Sequence, residues 1–215
     1  MTYLWKLADI AEQAVGRSGS QMPEWLLLLG GPDSRNLQAL LDVKNGFYAC
    51  ESALHVFGVG TTPQEYSLEG WNAPDLWRCD YQGSADGMLF FAEDIFGEQF
   101  AMKEEGIVRF NPETGACEEV GRNLEAWAEV VFSDLSVQTG YGLAREWQSL
   151  HGPLREGVRL VPKMPFAFGG SYEAANLYEL EAVKAMKARA DLAMQARSWS
   201  KGEKVRVRIE RTEDA

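Results

Sequence analysis

In the stretch LFFAEDIFGEQFAM, residues 89–102, Glu93 and Asp94 stand side by side and Glu98 follows four residues after Asp94. Carboxylates this close can hold a divalent cation or share a proton in acid–base work. The same letters also describe two apolar strands joined by a polar bend, with Gly97 supplying the backbone freedom of a hairpin or bulge. No histidine, asparagine or further carboxylate within the stretch completes a coordination shell, and charges are tolerated at exposed strand ends. The hairpin reading is therefore adopted, with no metal, no cofactor and no catalytic residue expected there.

The rest of the chain offers little other chemistry. His55 and His151 are the two histidines, and neither stands in a metal-binding or triad motif. His55 alternates with Leu54 and Val56 as a satisfied strand residue would, and His151 before Gly152 suits a helix C-terminus. FGGSY lacks the spacing of a nucleophile elbow, and GVGTTP lacks the third glycine and following helix of a dinucleotide loop. Cys50, Cys79 and Cys117 are odd in number and widely spaced, which fits small core thiols in a reducing cytoplasm.

The elements that must position these residues follow from periodicity and punctuation. Leu4, Leu7, Ile10, Ala11 and Ala14 recur at helical spacing as far as Gly16; a second helix starts after Pro23, and a third, capped by Asp33 or Ser34, stops at Asn45 and Gly46. FYAC (47–50), LHVF (54–57), MLFFA (88–92), EQFAM (98–102), IVRF and ACEEV then read as a meander of strands. SLEGWNAPDLWR, begun by Ser67 and broken by Gly70 and Pro74, reads as two short turns. Asn123 caps a helix ending near Ser133, YGLAREWQSLHG is another, RLVP and NLYEL are extended, and a last helix spans about 181–197. KVRVRIE (204–210) alternates as a terminal strand. This order predicts an α+β fold whose central, mostly antiparallel sheet is flanked by N-terminal and C-terminal helices, within one domain of 215 residues. Most of the seven tryptophans read as core; Trp71 and Trp77, in an irregular region, are expected to be partly exposed partner anchors.

The net charge is −11 and unevenly spread: residues 1–135 hold 8 basic and 22 acidic side chains, and 136–215 hold 13 and 10. Such a surface repels nucleic acid and steers a basic protein toward it, though acidity also serves solubility alone. WLLLL at 25–29 is far short of the roughly 20 apolar residues of a spanning helix, and the opening stretch lacks a basic n-region and cleavage site, so neither a membrane segment nor a leader is expected.

Three segments in order resemble the SUKH superfamily, which includes the yeast cell-wall-synthesis regulator and many bacterial toxin-immunity proteins. They are NGFYACESALHVF closing a helix, LFFAEDIFGEQFAM with glycine and acid at its turn, and VRFNPETGACEEV leading into NLEAWAEVV, together within about 24–135. The resemblance implies an α+β domain with one central sheet, no catalytic apparatus, and action by protein binding, commonly neutralisation of a toxin domain. Gly46, Gly97 and Trp127 match recurrent family residues and are expected to be structural: a helix stop, a turn and a core aromatic. The turn has Glu98 where the family often has aspartate, and the segment 136–211 extends beyond the family core. The expectation is thus a cytoplasmic immunity protein meeting a basic toxin such as a nuclease. Trp71, Trp77, Glu93, Asp94 and Glu98 are the candidate contacts. The alternatives are a regulator or scaffold for an endogenous partner, or a metal-dependent enzyme or ligand binder at the acidic hairpin.

Overall fold

The computed structural model describes residues 2–197, and the expected terminal strand at 204–210 lies outside them. Three helices come first: α1 (Tyr3–Ile10), α2 (Glu24–Leu29) and α3 (Ser34–Val43). Six strands follow, β1 (Phe47–Ala49), β2 (Leu54–Val56), β3 (Leu89–Asp94), β4 (Gln99–Lys103), β5 (Gly106–Asn111) and β6 (Ala116–Gly121), with the short helix α4 (Leu68–Trp71) between β2 and β3. All neighbours pair antiparallel in sequence order. The second half adds α5 (Leu124–Ser133), α6 (Leu135–Thr139), α7 (Tyr141–His151), a two-stranded sheet of β7 (Val158–Pro162) and β8 (Leu177–Glu181), and α8 (Ala182–Ala196). The architecture is the expected α+β one. Among the described residues no helix is long and apolar enough to cross a membrane.

Strands β1–β4 and most of β5 are buried on both faces, whereas β6 is largely exposed. On one face Phe91 and Phe100 meet Trp127 of α5 edge-on, with ring centroids 4.9 and 5.5 Å away. Helix α5 is placed by Asn123, whose side-chain oxygen accepts the Ala126 N–H, and by Asp33, which accepts the Leu124 N–H. On the other face Phe90 and Phe110 pack against Trp77, and Phe57 stacks on Trp71 at 4.8 Å. Below them lies α8, whose Met186 carbonyl accepts a bond from the Tyr81 hydroxyl. A smaller core joins Ile95 and Phe96, beyond the end of β3, to Trp147 of α7 and Leu160 of β7.

Three expectations need correction here. The first helix stops at Ile10 rather than Gly16, because residues 12–16 run irregularly beside β1: the N–H groups of Glu12, Val15 and Gly16 donate to the carbonyls of Tyr48, Gly46 and Asn45. The apolar spacing there marks neither helix nor burial, since Ile10 is 48% exposed and Ala14 and Val15 are exposed as well. Trp71 and Trp77 are fully buried, since the two turns carrying them fold back onto the sheet, and they cannot anchor a partner. The cysteines are not core thiols: Cys50 is half-buried, and Cys79 and Cys117 are exposed.

Candidate functional site

Glu93 is not at an exposed strand end. It lies inside β3, paired in register with His55 of β2 and Gln99 of β4, so the three side chains share the α8 face. The His55 ring Nδ1 is 3.3 Å from Glu93 Oε1, Gln99 Nε2 donates to Oε2 at 3.0 Å, and the Trp71 indole N–H donates to Gln99 at 2.8 Å. The counter-charge comes from β7: Arg159 Nη2 is 2.7 Å from Glu93 Oε1, with its guanidinium beside the Tyr48 ring. Burial alone would raise the Glu93 carboxyl, but Arg159 and the bonds from His55 and Gln99 outweigh it and hold it at about 2. Burial lowers His55, so the ring is neutral, and the contact with a carboxylate assigns its proton to Nδ1. This is a closed, buried ion centre out of a partner's reach, in which Arg159 Nη2 pairs with Glu93 and Nη1 donates to the Val158 carbonyl while Nε has no hydrogen-bond partner.

Asp94 is buried too, but at the turn where β3 ends. Its Oδ1 accepts the N–H groups of both Phe96 and Glu98, which winds the chain back into β4, and Gly97 takes φ +73 between them. Glu98 beyond the turn reaches Asn111 at 3.1 Å and Arg109 of β5 at 3.6 Å. Burial, then the neighbouring Glu98 charge, raises Asp94 well above the usual carboxylate range; burial also raises Glu98, against the pull of Arg109.

Asp94 and Glu98 form one wall of an open cleft of about 640 Å³. Arg109 and Glu118 of the β5–β6 hairpin extend that wall, α6 and α7 contribute Val137 and Leu143, and the loop after β7 contributes Phe166 and Tyr172. The last two rings stack at 3.9 Å with 5° between their planes, and Tyr172 is 68% exposed. Glu98 and Glu118 beside an accessible aromatic pair can attract a cationic side chain by charge and cation–π contact, with Arg109 of the same wall already 3.6 Å from Glu98. Among the described residues no three histidine, cysteine, aspartate or glutamate side chains are grouped to hold a metal ion.

Of the five expected contacts, only Asp94 and Glu98 line this cleft; Glu93 points into the ion centre, and Trp71 and Trp77 into the core. Gly46 holds φ +66 where α3 gives way to β1, and Trp127 is fully buried. Sequence reading missed Arg159, Phe166 and Tyr172. Arg159 left a signal, a cation inside the apolar run VRLVP that a buried strand could accept only with an anion opposite. The aromatic pair left none, because its spacing depends on a 3₁₀ turn at Phe166–Phe168.

No family model and no curated protein sequence matches the chain. Among solved structures, the crystal structure of Atu4351 from Agrobacterium tumefaciens is similar over 83% of this chain and 84% of that one, with a TM-score of 0.53 at 12% identity. That likeness speaks to fold alone, and its extent carries the shared architecture past residue 135.

Proposed function

We propose that this chain is a protein-binding module of the SUKH kind, a bacterial cytoplasmic immunity protein that neutralises a basic toxin domain by direct contact, and that the cleft at the β3–β4 turn is where the partner inserts a lysine or arginine. The cleft itself carries the reading: Glu98 and Glu118 stand on one wall, the stacked Phe166–Tyr172 pair stands on another, and the hairpins around it belong to the acidic part of the chain. The ordered resemblance of 45–57, 89–102 and 108–131 to that superfamily supplies the biological class, as fold analogy.

The test has two parts. Tagged protein is used to capture partners from the source organism at low and high salt, and each captured toxin domain is co-expressed with the chain to score protection. Salt-sensitive capture of a basic toxin, with protection abolished by Glu98→Lys with Tyr172→Ala, supports the proposal. Protection that survives the double substitution removes the cleft from it. Capture of an endogenous non-toxin protein that is lost with the same substitutions favours a scaffold or regulator instead.

A further inference from the structure

The cleft at the β3–β4 turn offers an incoming cation two unequal carboxylates. Glu98 is already engaged: Asn111 donates to its Oε1 at 3.1 Å, and Arg109 Nε stands 3.6 Å from its Oε2. Glu118, opposite Arg109 in the β5–β6 register, is exposed and takes part in no hydrogen bond or ion pair among the described residues. Both of its oxygens are open to a donor that can take two at once. Burial and then the Glu98 charge raise the Tyr172 phenol, so the aromatic ring and the acidic wall are within electrostatic reach of each other.

The aromatic pair in the same cleft sits on a loop, residues 163–176, that is fixed before anything binds. Its ends are held together by the pairing of Pro162 in β7 with Leu177 in β8. Asn176 spans the loop: its Nδ2 donates to the Met164 carbonyl at 3.0 Å and the Ser171 carbonyl at 2.9 Å, and its Oδ1 accepts the Met164 N–H. Glu113, buried in the turn between β5 and β6, accepts the Ala167 N–H at 2.8 Å and ties the loop to that hairpin. Phe166 covers one face of the Tyr172 ring, whose 68% exposure leaves the other face open. A large ring held in place this way loses little conformational entropy when a ligand stacks on it.

We infer that the cleft selects arginine over lysine, with the guanidinium stacked on the open face of Tyr172 and its fork of N–H groups bonded to Glu118, and with Asn176 as the positioning residue that holds the aromatic platform. This rests on the reading of the cleft as a cation-binding site and narrows it to one side chain. A guanidinium is planar, weakly hydrated and presents parallel donors to a carboxylate. An ammonium is a compact, strongly hydrated point charge that can use the carboxylate but gains less from a flat ring. Arg109 does not fill this role from within, because its guanidinium lies over the Phe100 ring, 5.1 Å from the centroid, and donates to the Gln138 carbonyl at 3.2 Å.

Titration of the full chain with acetyl-Gly-Arg-Gly-amide and acetyl-Gly-Lys-Gly-amide, followed by NMR at the Tyr172 ring and the Glu118 amide, tests it. The arginine peptide should bind at least about threefold tighter, and Tyr172→Leu/Glu118→Gln should bring the two dissociation constants together. Asn176→Ala should weaken the arginine peptide alone, with β3 and β4 amide shifts as the folding control. Equal affinities in the native chain, or a preference that survives the double substitution, overturn the selectivity and leave the cation site standing. Binding of neither peptide removes the cation site itself and the inference with it. Equal weakening of both peptides by Asn176→Ala, or of neither, takes the positioning role from that residue. Should Asn176→Ala disturb the control shifts, the substitutions at the exposed Tyr172 and Glu118 still decide the selectivity.

Discussion

Arg159 Nη2 sits 2.7 Å from Glu93 Oε1 with both side chains shut away from solvent, and this one pair joins the central meander to the strand β7 of the C-terminal part. Two charges withdrawn from water gain little net stability together, but either one left alone is costly. Arg159→Met should therefore lower the unfolding free energy by roughly 3–5 kcal/mol, whereas adding Glu93→Leu should recover part of that loss. Urea titration of the two singles and the double checks this; an additive double would deny the coupling.

The same pair sets the acid limb of stability. The Glu93 carboxyl is held at about 2 in the fold against an ordinary value of 4.5. A depressed carboxylate stabilises the fold fully above its unfolded value, and the contribution drains away as pH falls from about 4.5 through 2. The shift corresponds to something on the order of 3 kcal/mol. Denaturant unfolding between pH 5 and 2 should show a steep loss in the native chain and a shallower one in Glu93→Gln.

Asp94 carries the opposite sign. Burial and the Glu98 charge raise its folded value, so the fold binds a proton that the unfolded chain releases, and stability declines as pH rises. Asp94→Asn keeps the oxygen that accepts the Phe96 and Glu98 N–H groups while removing the buried charge. The variant should equal the native chain near pH 4 and exceed it by about 1 kcal/mol at pH 8, measured by denaturant unfolding. A deficit at pH 8 would mean that the carboxylate is held by attraction the structure does not display.

Strand order, the Asn123 cap and the two-turn reading of 67–78 were legible because each rests on local chemistry: a capping oxygen, a glycine, a proline. Burial of charge was not. Glu93 looks like a bend residue in sequence because the anion is visible and its partner, Arg159, belongs to a distant strand; only the sheet register with His55 and Gln99 shows that it faces inward. Trp71 and Trp77 failed for a related reason, since irregular backbone was equated with exposure. Two short turns can press large rings onto a sheet as firmly as a helix can. The cleft draws on the β3–β4 turn, the β5–β6 hairpin, α6, α7 and the loop after β7, and no pattern within one segment predicts such a convergence.

Gly46 tests how tightly the turn from α3 into β1 is held. Its φ is +66, and a Cβ there would come within 2.7 Å of both the nitrogen and the Cα of Gly58. That backbone cannot step aside easily: Asn45 donates to the carbonyls of Val59 and Arg17 and accepts the Val59 N–H, clamping the 58–59 segment against the turn. Gly19 has a comparable φ of +80 but open space around the corresponding position. Gly19→Ala should therefore cost only the left-handed backbone penalty of about 1 kcal/mol, and Gly46→Ala roughly 2–4 kcal/mol, because a collision with main chain is added to it. Denaturant unfolding of the two variants side by side separates the contributions, and equal losses would show that the Gly58 backbone yields freely.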